Sequence, residues 1–338
     1  MSQGLKVLVT GGAGYLGSTV AGLLLSSGHT VRVIDCLSYG GHSVLGFWNH
    51  PAFEFVRGDI RDQRMVRRSL KGIDVVIHLA AIVGDLACAK QPVAAREINL
   101  EASLKLLDEC RRAQIERFIL ASSCSNYGRS LGSDEYVDER SMVVPLSLYA
   151  KTKVECETAL LEMGTFAPLS FAILRFATLF GVSPRMRFDL TVNEFTLRML
   201  TRKHLVVFAG QSWRPYVHVR DAARAVEIVL RSPNNKWGQV YNVGSTTQNF
   251  KKRDLAEFVR AHAADAHIEY IDQWEDPRDY RVCFTKISRD LGFLPTRTVQ
   301  DGIAEVAHLI RSGAIPRLDD PYLRNDPSPV CEAASGRA

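Results

Sequence analysis

The sequence predicts an α/β fold, a Rossmann-type doubly wound parallel sheet carrying a smaller α/β substrate-binding lobe. Three observations carry that expectation. Short, near-continuous apolar runs alternate with helix-period segments through the first half, as in a parallel sheet covered on both faces. A glycine-rich turn stands where the first run meets the first helix. After Arg175 the alternation loosens into separate helices and short apolar runs, which reads as a second, smaller unit.

In chain order, Leu5–Val9 is the first strand and an apolar helix follows from about Tyr15 to Ser27. Further strands are expected at Thr30–Ile34, Phe53–Val56, Val75–Leu79, Phe118–Ala121 and Ser170–Leu174, with helices near Gln63–Leu70, Val93–Ala113 and Leu148–Met163. Right-handed crossovers turn that order into a doubly wound sheet. Later come helices at Leu190–Leu200, Asp221–Leu230, Asp254–Ala264 and Val299–Ile310, an apolar run at Leu205–Phe208 and a strand near Val240–Val243. The sheet domain is thus 1–175 with a return segment at about 211–243, and the lobe is 176–210 with 244–315. Residues 316–338, rich in Pro, Asp, Ser and Ala, read as a loose C-terminal tail.

Composition narrows the function classes. The 338 residues are 46% hydrophobic and 23% charged, ordinary for a globular chain, and 42 Lys+Arg against 37 Asp+Glu leave a net charge of only +5. The basic run Arg57, Arg61, Arg64, Arg67, Arg68 and Lys71 has helical spacing and reads as a solvated helix face, so nucleic acid is not expected as a partner. No apolar run approaches the roughly 20 residues of a membrane span, and the start at Met1 lacks a basic-then-apolar leader. No membrane partner and a cytoplasmic location follow as expectations. The seven cysteines are odd in number and scattered, without a Cys-x-x-Cys pair, and read as reduced thiols with no metal site among them.

Two motifs carry chemistry. In Thr10-Gly11-Gly12-Ala13-Gly14-Tyr15-Leu16-Gly17, the glycines at 11, 14 and 17 allow a tight turn, close approach to a pyrophosphate and close helix–sheet packing. The helix N-terminus then offers free N–H groups to the phosphates. Asp35, eighteen residues after Gly17, stands where a carboxylate accepts hydrogen bonds from the adenosine ribose. Its charge would repel a 2′-phosphate and Cys36 follows it, so NAD is favoured over NADP. Asp59, in Gly58-Asp59-Ile60, lies where an adenine is expected.

The second motif is Tyr149-Ala150-Lys151-Thr152-Lys153, whose Tyr and final Lys share one helix face. A nearby ammonium favours phenolate, lowering the Tyr pKa toward a usable base. The cluster Ser122-Ser123-Cys124-Ser125-Asn126-Tyr127-Gly128 leaves the C-terminal end of a strand, the edge where open α/β sheets place ligands. A hydroxyl there can share a substrate proton with Tyr149.

With these in hand the chain resembles an extended short-chain dehydrogenase/reductase of the NAD-dependent nucleotide-sugar epimerase and dehydratase family, in the manner of a UDP-glucose 4-epimerase. The resemblance covers roughly 300 residues: the glycine motif, Asp35, Gly-Asp-Ile at 58–60, His-Leu-Ala-Ala at 78–81 and Asn99 in Ile-Asn-Leu. It continues through the serine cluster, Tyr149 with Lys153, Leu-Arg-Phe at 174–176, Arg214-Pro-Tyr-Val-His-Val-Arg-Asp221 and Tyr-Asn-Val-Gly at 241–244. It implies NAD held by Gly11, Gly14, Tyr15, Leu16, Gly17, Asp35, Asp59, Ile60, Leu79, Ala80, Ala81, Asn99, Tyr149 and Lys153. It makes Tyr149 the base, Lys153 its tuning cation and Ser123, four residues before Tyr127, the hydroxyl partner. Ser123, Cys124, Ser125 and Asn193 face the substrate on this reading, and Arg214 and Arg278 hold its diphosphate with paired hydrogen bonds. The helices at 93–113 and 148–163 resemble the pair that makes a four-helix-bundle homodimer, though a face buried within the domain has the same periodicity.

Departures from the family pattern bear on the reaction. Dehydrating members carry an Asp-Glu pair after the catalytic hydroxyl, where this chain has Cys124 and Ser125. Members that deprotonate beside a ketone place a cysteine where this chain has Ser125. The expectation is therefore epimerisation through transient oxidation at sugar C4, with a 4-ketosugar reductase or dehydrogenase as the alternative. A non-catalytic NAD-binding protein ranks behind both, since Ser123, Tyr149 and Lys153 are all present. Two readings stand for Arg185 and Arg187: a contact to a substrate carboxylate or phosphate, or plain loop charges.

Overall fold

A computed structural model describes residues 4–129, 135–164, 169–271 and 276–325. The elements run β1 (Lys6–Thr10), α1 (Tyr15–Ser26), β2 (Thr30–Asp35), β3 (Phe53–Arg57), α2 (Gln63–Ser69), β4 (Val75–His78), α3 (Asp85–Lys90), α4 (Pro92–Arg96), α5 (Ser103–Arg112), β5 (Arg117–Ser123), β6 (Tyr136–Val137), α6 (Leu148–Gly164) and β7 (Ser170–Phe176). They continue with β8 (Thr178–Phe180), α7 (Thr191–Arg202), β9 (His204–Phe208), β10 (Trp213–His218), α8 (Val219–Arg231), β11 (Gln239–Val243), β12 (Asn249–Lys251), α9 (Lys252–Arg260), β13 (His267–Ile271), β14 (Arg281–Val282), α10 (Thr285–Leu291) and α11 (Val299–Ser312).

Seven strands form one parallel sheet in the order β11-β7-β5-β4-β1-β2-β3. Strand β1 shows why. Val7 and Val9 point into a core shared with Val20 and Leu24 of α1 and Val226 and Val229 of α8, while Leu8 points the other way, toward Leu106, Leu107 and Leu160 of α5 and α6. Alternating side chains buried on both faces are the origin of the continuous apolar run. The order reverses between β1 and β4, which opens a crevice beyond the carboxyl ends of the strands. Thr10, Asp35, His78 and Ser123 all stand at that edge, as the last residues of β1, β2, β4 and β5.

Some expectations need correction. The helix expected at 93–113 is α4 and α5 joined by a π-helical stretch, Glu97–Ala102, which carries Asn99. Such bulges recur at functional sites because one wider turn re-aims a side chain. The return segment expected at 211–243 divides. Strand β10 pairs with β8 and β12 in a three-stranded sheet, and the chain rejoins the central sheet from α8, which packs on α1, to β11. Pairing such as Trp213 with Lys251 is long-range and leaves no local periodicity. The lobe's core gathers Phe180, Val192, Met199, Tyr216, Leu255 and Ile303. The C-terminal segment is not loose throughout: Phe188 N donates to Leu323 O (2.7 Å), and Leu318 and Leu323 pack beside Met186 and Phe188. Residues 326–338 of that segment, with Cys331, lie outside the described residues. Among the described residues no helix is long and apolar enough to cross a membrane.

Candidate active site

The β1–α1 turn is a cradle made of backbone. Gly11 has φ +69°, and a Cβ on it would lie 2.8 Å from the Ala80 backbone; one on Gly17 would lie 2.2 Å from Gly11 O. Gly14 N donates to Gly11 O (3.1 Å), and Gly14 gives α1 no side-chain cap, which leaves the first-turn N–H groups without a side-chain acceptor. The neighbouring β4 turn is pinned to this cradle. Ala80 N donates to Thr10 Oγ1 (3.2 Å), Leu79 N to Thr10 O (3.2 Å), and the Asn99 amide closes a pair of bonds with Ile82 N (2.7 Å) and Ile82 O (2.9 Å).

At the end of β2, Asp35 accepts from Ala13 N (3.0 Å) and Leu37 N (2.8 Å). Burial raises its pKa, against those two bonds and the Arg185 guanidinium, which lower it. Arg185 is buried, stands over the Tyr39 ring (4.2 Å to the centroid) and donates to Arg324 O (2.9 Å). It brings a cation to the Asp35 neighbourhood from 150 residues away, which the absence of a basic residue after Asp35 did not foretell. Asp59 is turned to its own loop, pairing with Arg61 (2.8 Å), while Ile60 is buried. Tyr15 leaves only its backbone at this end, because its phenol is buried and donates to Gly181 O (2.6 Å). A side-chain-free cradle, an uncapped helix start and a carboxylate at the end of β2 fit a dinucleotide: Gly11, Gly14 and Gly17 at its pyrophosphate and Asp35 at its ribose.

Beside the cradle, α6 holds Tyr149 and Lys153 one turn apart, with Lys153 Nζ 6.0 Å from the Tyr149 ring centroid. The lowered phenol pKa expected from the sequence is reversed here. Burial pushes Tyr149 up, Cys88 and Asp85 add to the rise, and Arg187 and a hydrogen bond with Ser123 pull it down. Burial likewise lowers Lys153. The ammonium stands over the ring face, and enclosure outweighs it. Ser123 accepts from Ser125 N (3.1 Å), and the Ser123 and Ser125 hydroxyls are 2.8 Å apart.

That hydroxyl loop rests on a buried polar network. Glu157, one turn beyond Lys153, accepts from Ser122 Oγ and from Asn126 Nδ2 (2.9 Å) and pairs with Arg175 (2.6 Å). Arg175 also donates to Tyr127 OH (3.0 Å), which donates to Asn242 Oδ1 (2.8 Å). Shared buried partners of this kind favour one geometry, with Asn126 Oδ1 the atom left without a bond. Cys124 belongs to the network side: its thiol is buried and donates to Arg175 O (3.2 Å), so its placement among the substrate-facing residues is corrected. Asn193 is corrected too. Fully buried, it accepts from Gly181 N (3.0 Å) and donates to Arg187 O (2.9 Å), bracing the loop that carries Arg187. Arg187 pairs with Asp189 (2.5 Å) within electrostatic reach of Tyr149.

Arg214 and Arg278 do meet. Arg214 Nη1 donates to Arg278 O (2.6 Å), and its Nη2 lies 2.7 Å from Asp276 in an ion contact off the hydrogen-bond line. Arg278 forks onto Asp276 through Nε and Nη2 (3.0 Å each) and reaches Asp85 through Nη1. Lys252 adds a third cation at 3.0 Å from Asp276, whose pKa ends well below the usual carboxylate range, because Arg278, Arg214 and Lys252 together outweigh burial. Sequence reasoning missed Asp85, Glu157, Asp276 and the buried Tyr280, which lies 5.3 Å from the Arg214 guanidinium. Of these only Asp276 carried a signal, its place beside Arg278.

Comparison with known proteins identifies the family of this chain. Residues 7–244 match the model of the NAD dependent epimerase/dehydratase family. A dTDP-glucose 4,6-dehydratase of Streptomyces griseus is 30% identical, over 88% of this chain and 92% of its own. The structure of the UDP-glucose 4-epimerase of Thermus thermophilus in complex with NAD is 27% identical with a TM-score of 0.81, over 92% of this chain and all of the other. The UDP-glucuronic acid 4-epimerase of Bacillus cereus, in complex with UDP-glucuronic acid and NAD, is 27% identical with a TM-score of 0.82, over 91% of this chain and 99% of its own.

Proposed function

Because the chain belongs to the NAD dependent epimerase/dehydratase family, we propose that it is a nucleotide-sugar epimerase acting through transient oxidation at sugar C4. One observation carries the choice of reaction. The loop that presents Ser123 and Ser125 bears no carboxylate, and the carboxylate beneath it, Glu157, is tied to Arg175, Ser122 and Asn126. An elimination of water across neighbouring carbons needs a free acid there; a proton transfer at one hydroxyl does not.

When bound, NAD supplies the acceptor and donor of hydride. Tyr149, as the phenolate, takes the proton of the 4-hydroxyl on its oxygen, and Ser123 Oγ bonds the same hydroxyl. Lys153 and Arg187 are the cations that favour the charged phenolate in this enclosed place. Arg214 and Arg278 hold the diphosphate while the 4-keto sugar turns its other face to the cofactor. Returning the proton from Tyr149 completes a redox-neutral cycle.

Exposed Leu104 on α5 and Leu161 on α6 support a homodimer through these helices, a reading that sedimentation would check. Free thiols at Cys88, Cys110, Cys124, Cys156 and Cys283 favour a reducing, cytoplasmic setting. The function is tested by denaturing purified protein, assaying released NAD, and screening UDP-, dTDP-, GDP- and CDP-sugars without added cofactor. Epimer formation with no net NADH is expected, and Tyr149→Phe should cut kcat by about a thousandfold. Stoichiometric NADH with sugar oxidation would instead assign a dehydrogenase.

A further inference from the structure

We propose that Asp85 is a specificity-determining residue of the nucleotide-sugar site: its carboxylate holds the place on Arg278 that a substrate diphosphate takes, a latch that a diphosphate must displace to bind. The inference rests on the nucleotide-sugar reading above.

Asp85 opens α3, directly after Gly84, on the turn that leaves β4 at the carboxyl edge of the sheet. Its partner Arg278 is 193 residues away, on a segment whose next residue, Asp279, accepts from Trp213 N of β10 (2.8 Å) and donates its own N–H to Gly128 O (3.1 Å) at the end of the hydroxyl loop. The contact therefore joins the turn after β4 to a segment that already bonds both β10 and the loop after β5. A second bond orients the carboxylate from α6, since Ser147 Oγ donates to Asp85 Oδ1 (2.6 Å), two residues before Tyr149. Asp85 thus stands between the diphosphate arginines and the catalytic base, and its charge reaches Tyr149.

The two carboxylates on Arg278 differ in kind. Asp276 is buried, with 9% of its side chain exposed, and is shared by Arg214, Arg278 and Lys252; it is the permanent counter-charge. Asp85 keeps 24% exposure against 31% for Arg278, so this half of the cluster is open to solvent and to an incoming anion. The three cations Arg214, Arg278 and Lys252 with Asp276 alone leave two positive charges, the complement of a diphosphate's two negative ones; Asp85 neutralises one of them in the meantime. An ion pair with this exposure is weak enough to exchange. A ligand that offers Arg278 less than a phosphate's charge has little to set against the pair. The latch thereby favours diphosphate-bearing substrates over neutral or singly charged ones.

The test titrates UDP, and separately UMP, into the purified full chain and into Asp85→Asn and Asp85→Ala. Hydrogen exchange of residues 84–90 and 276–282 is followed in the unliganded proteins. We expect UDP to bind both variants about fivefold more tightly than the wild type. KM for the nucleotide sugar should fall without a matching rise in kcat, and both segments should exchange faster. A gain in affinity is something that mere structural damage would not produce. Equal or weaker UDP binding in both variants, with wild-type binding intact, would overturn the latch alone. If no protein bound UDP, dTDP, GDP or CDP, the nucleotide-sugar reading itself would fall, and the latch with it.

Discussion

The two ends of the cleft are built on opposite plans. The cofactor end is backbone: Gly11, Gly14 and Gly17 exclude side chains, and a single carboxylate, Asp35, is held by two N–H groups from its own and the neighbouring turn. The proposed diphosphate end is side chains: Arg214, Lys252, Asp276, Arg278 and Asp85 arrive from separate segments and neutralise one another. A backbone cradle is rigid and ready, because its donors have nothing else to bind. A cluster of paired charges must trade partners to accept a ligand, which makes that end the selective and movable one. This division suits an enzyme that keeps its cofactor and exchanges its sugar.

The comparison can be broken from either side. The largest effect is expected at the cradle. In Gly17→Ala the new Cβ would meet Gly11 O at 2.2 Å, a backbone atom with nowhere to go. We expect a loss of about 3 kcal/mol in folding stability and protein that purifies without NAD, read by urea melts and by cofactor assay after denaturation. Arg214→Met should do the reverse: retain NAD and raise the KM for nucleotide sugar by roughly 30-fold, the worth of about 2 kcal/mol in hydrogen bonds to charge. Loss of NAD from this variant would show that the two ends are not separable.

A third test separates the ends by pH. His78, buried beneath the cradle between Thr10 Oγ1 (2.7 Å) and Ser103 Oγ (2.8 Å), is pushed from 6.5 down to about 3 by burial, with Lys153 adding. Its folded pKa is depressed, so below pH 6.5 the unfolded chain takes up a proton that the native one refuses. Stability then falls as pH drops, by about 1.4 kcal/mol per unit, until the folded value is reached. Asp276 is also depressed, yet its contribution is lost only below the ordinary carboxylate value of 3.8. Urea midpoints between pH 6.5 and 4 should therefore slope in the wild type and flatten in His78→Asn, while Asp276→Asn keeps the slope. Equal slopes in all three proteins would refute the assignment to His78.

The same contrast explains what could be read beforehand. The β1–α1–β2 unit was legible to within a residue or two because its signals are local: a buried strand, three glycines and Asp35 lie within thirty residues. Tyr149 and Lys153 were legible because a helix places positions four apart on one face. Arg185 was not, since its partners Tyr39 and Asp35 are remote in sequence. Short β8, β10, β12 and β14 were missed for the same reason, each owing its shape to a distant strand. Cys124 and Asn193 were misread because type and position do not say which way a side chain turns.

By itself the sequence determined the layered α/β fold, the glycine turn at the dinucleotide end and the placing of Tyr149 and Lys153 on one helix face, since periodicity and spacing act over a few residues and survive without context. Only the tertiary structure decided the electrostatics. It raised the Tyr149 pKa where a neighbouring lysine alone would lower it, and it set Arg278 against Asp85, 193 residues away. Burial and charge pairing depend on what the whole chain brings within a few ångströms, and no local pattern records that.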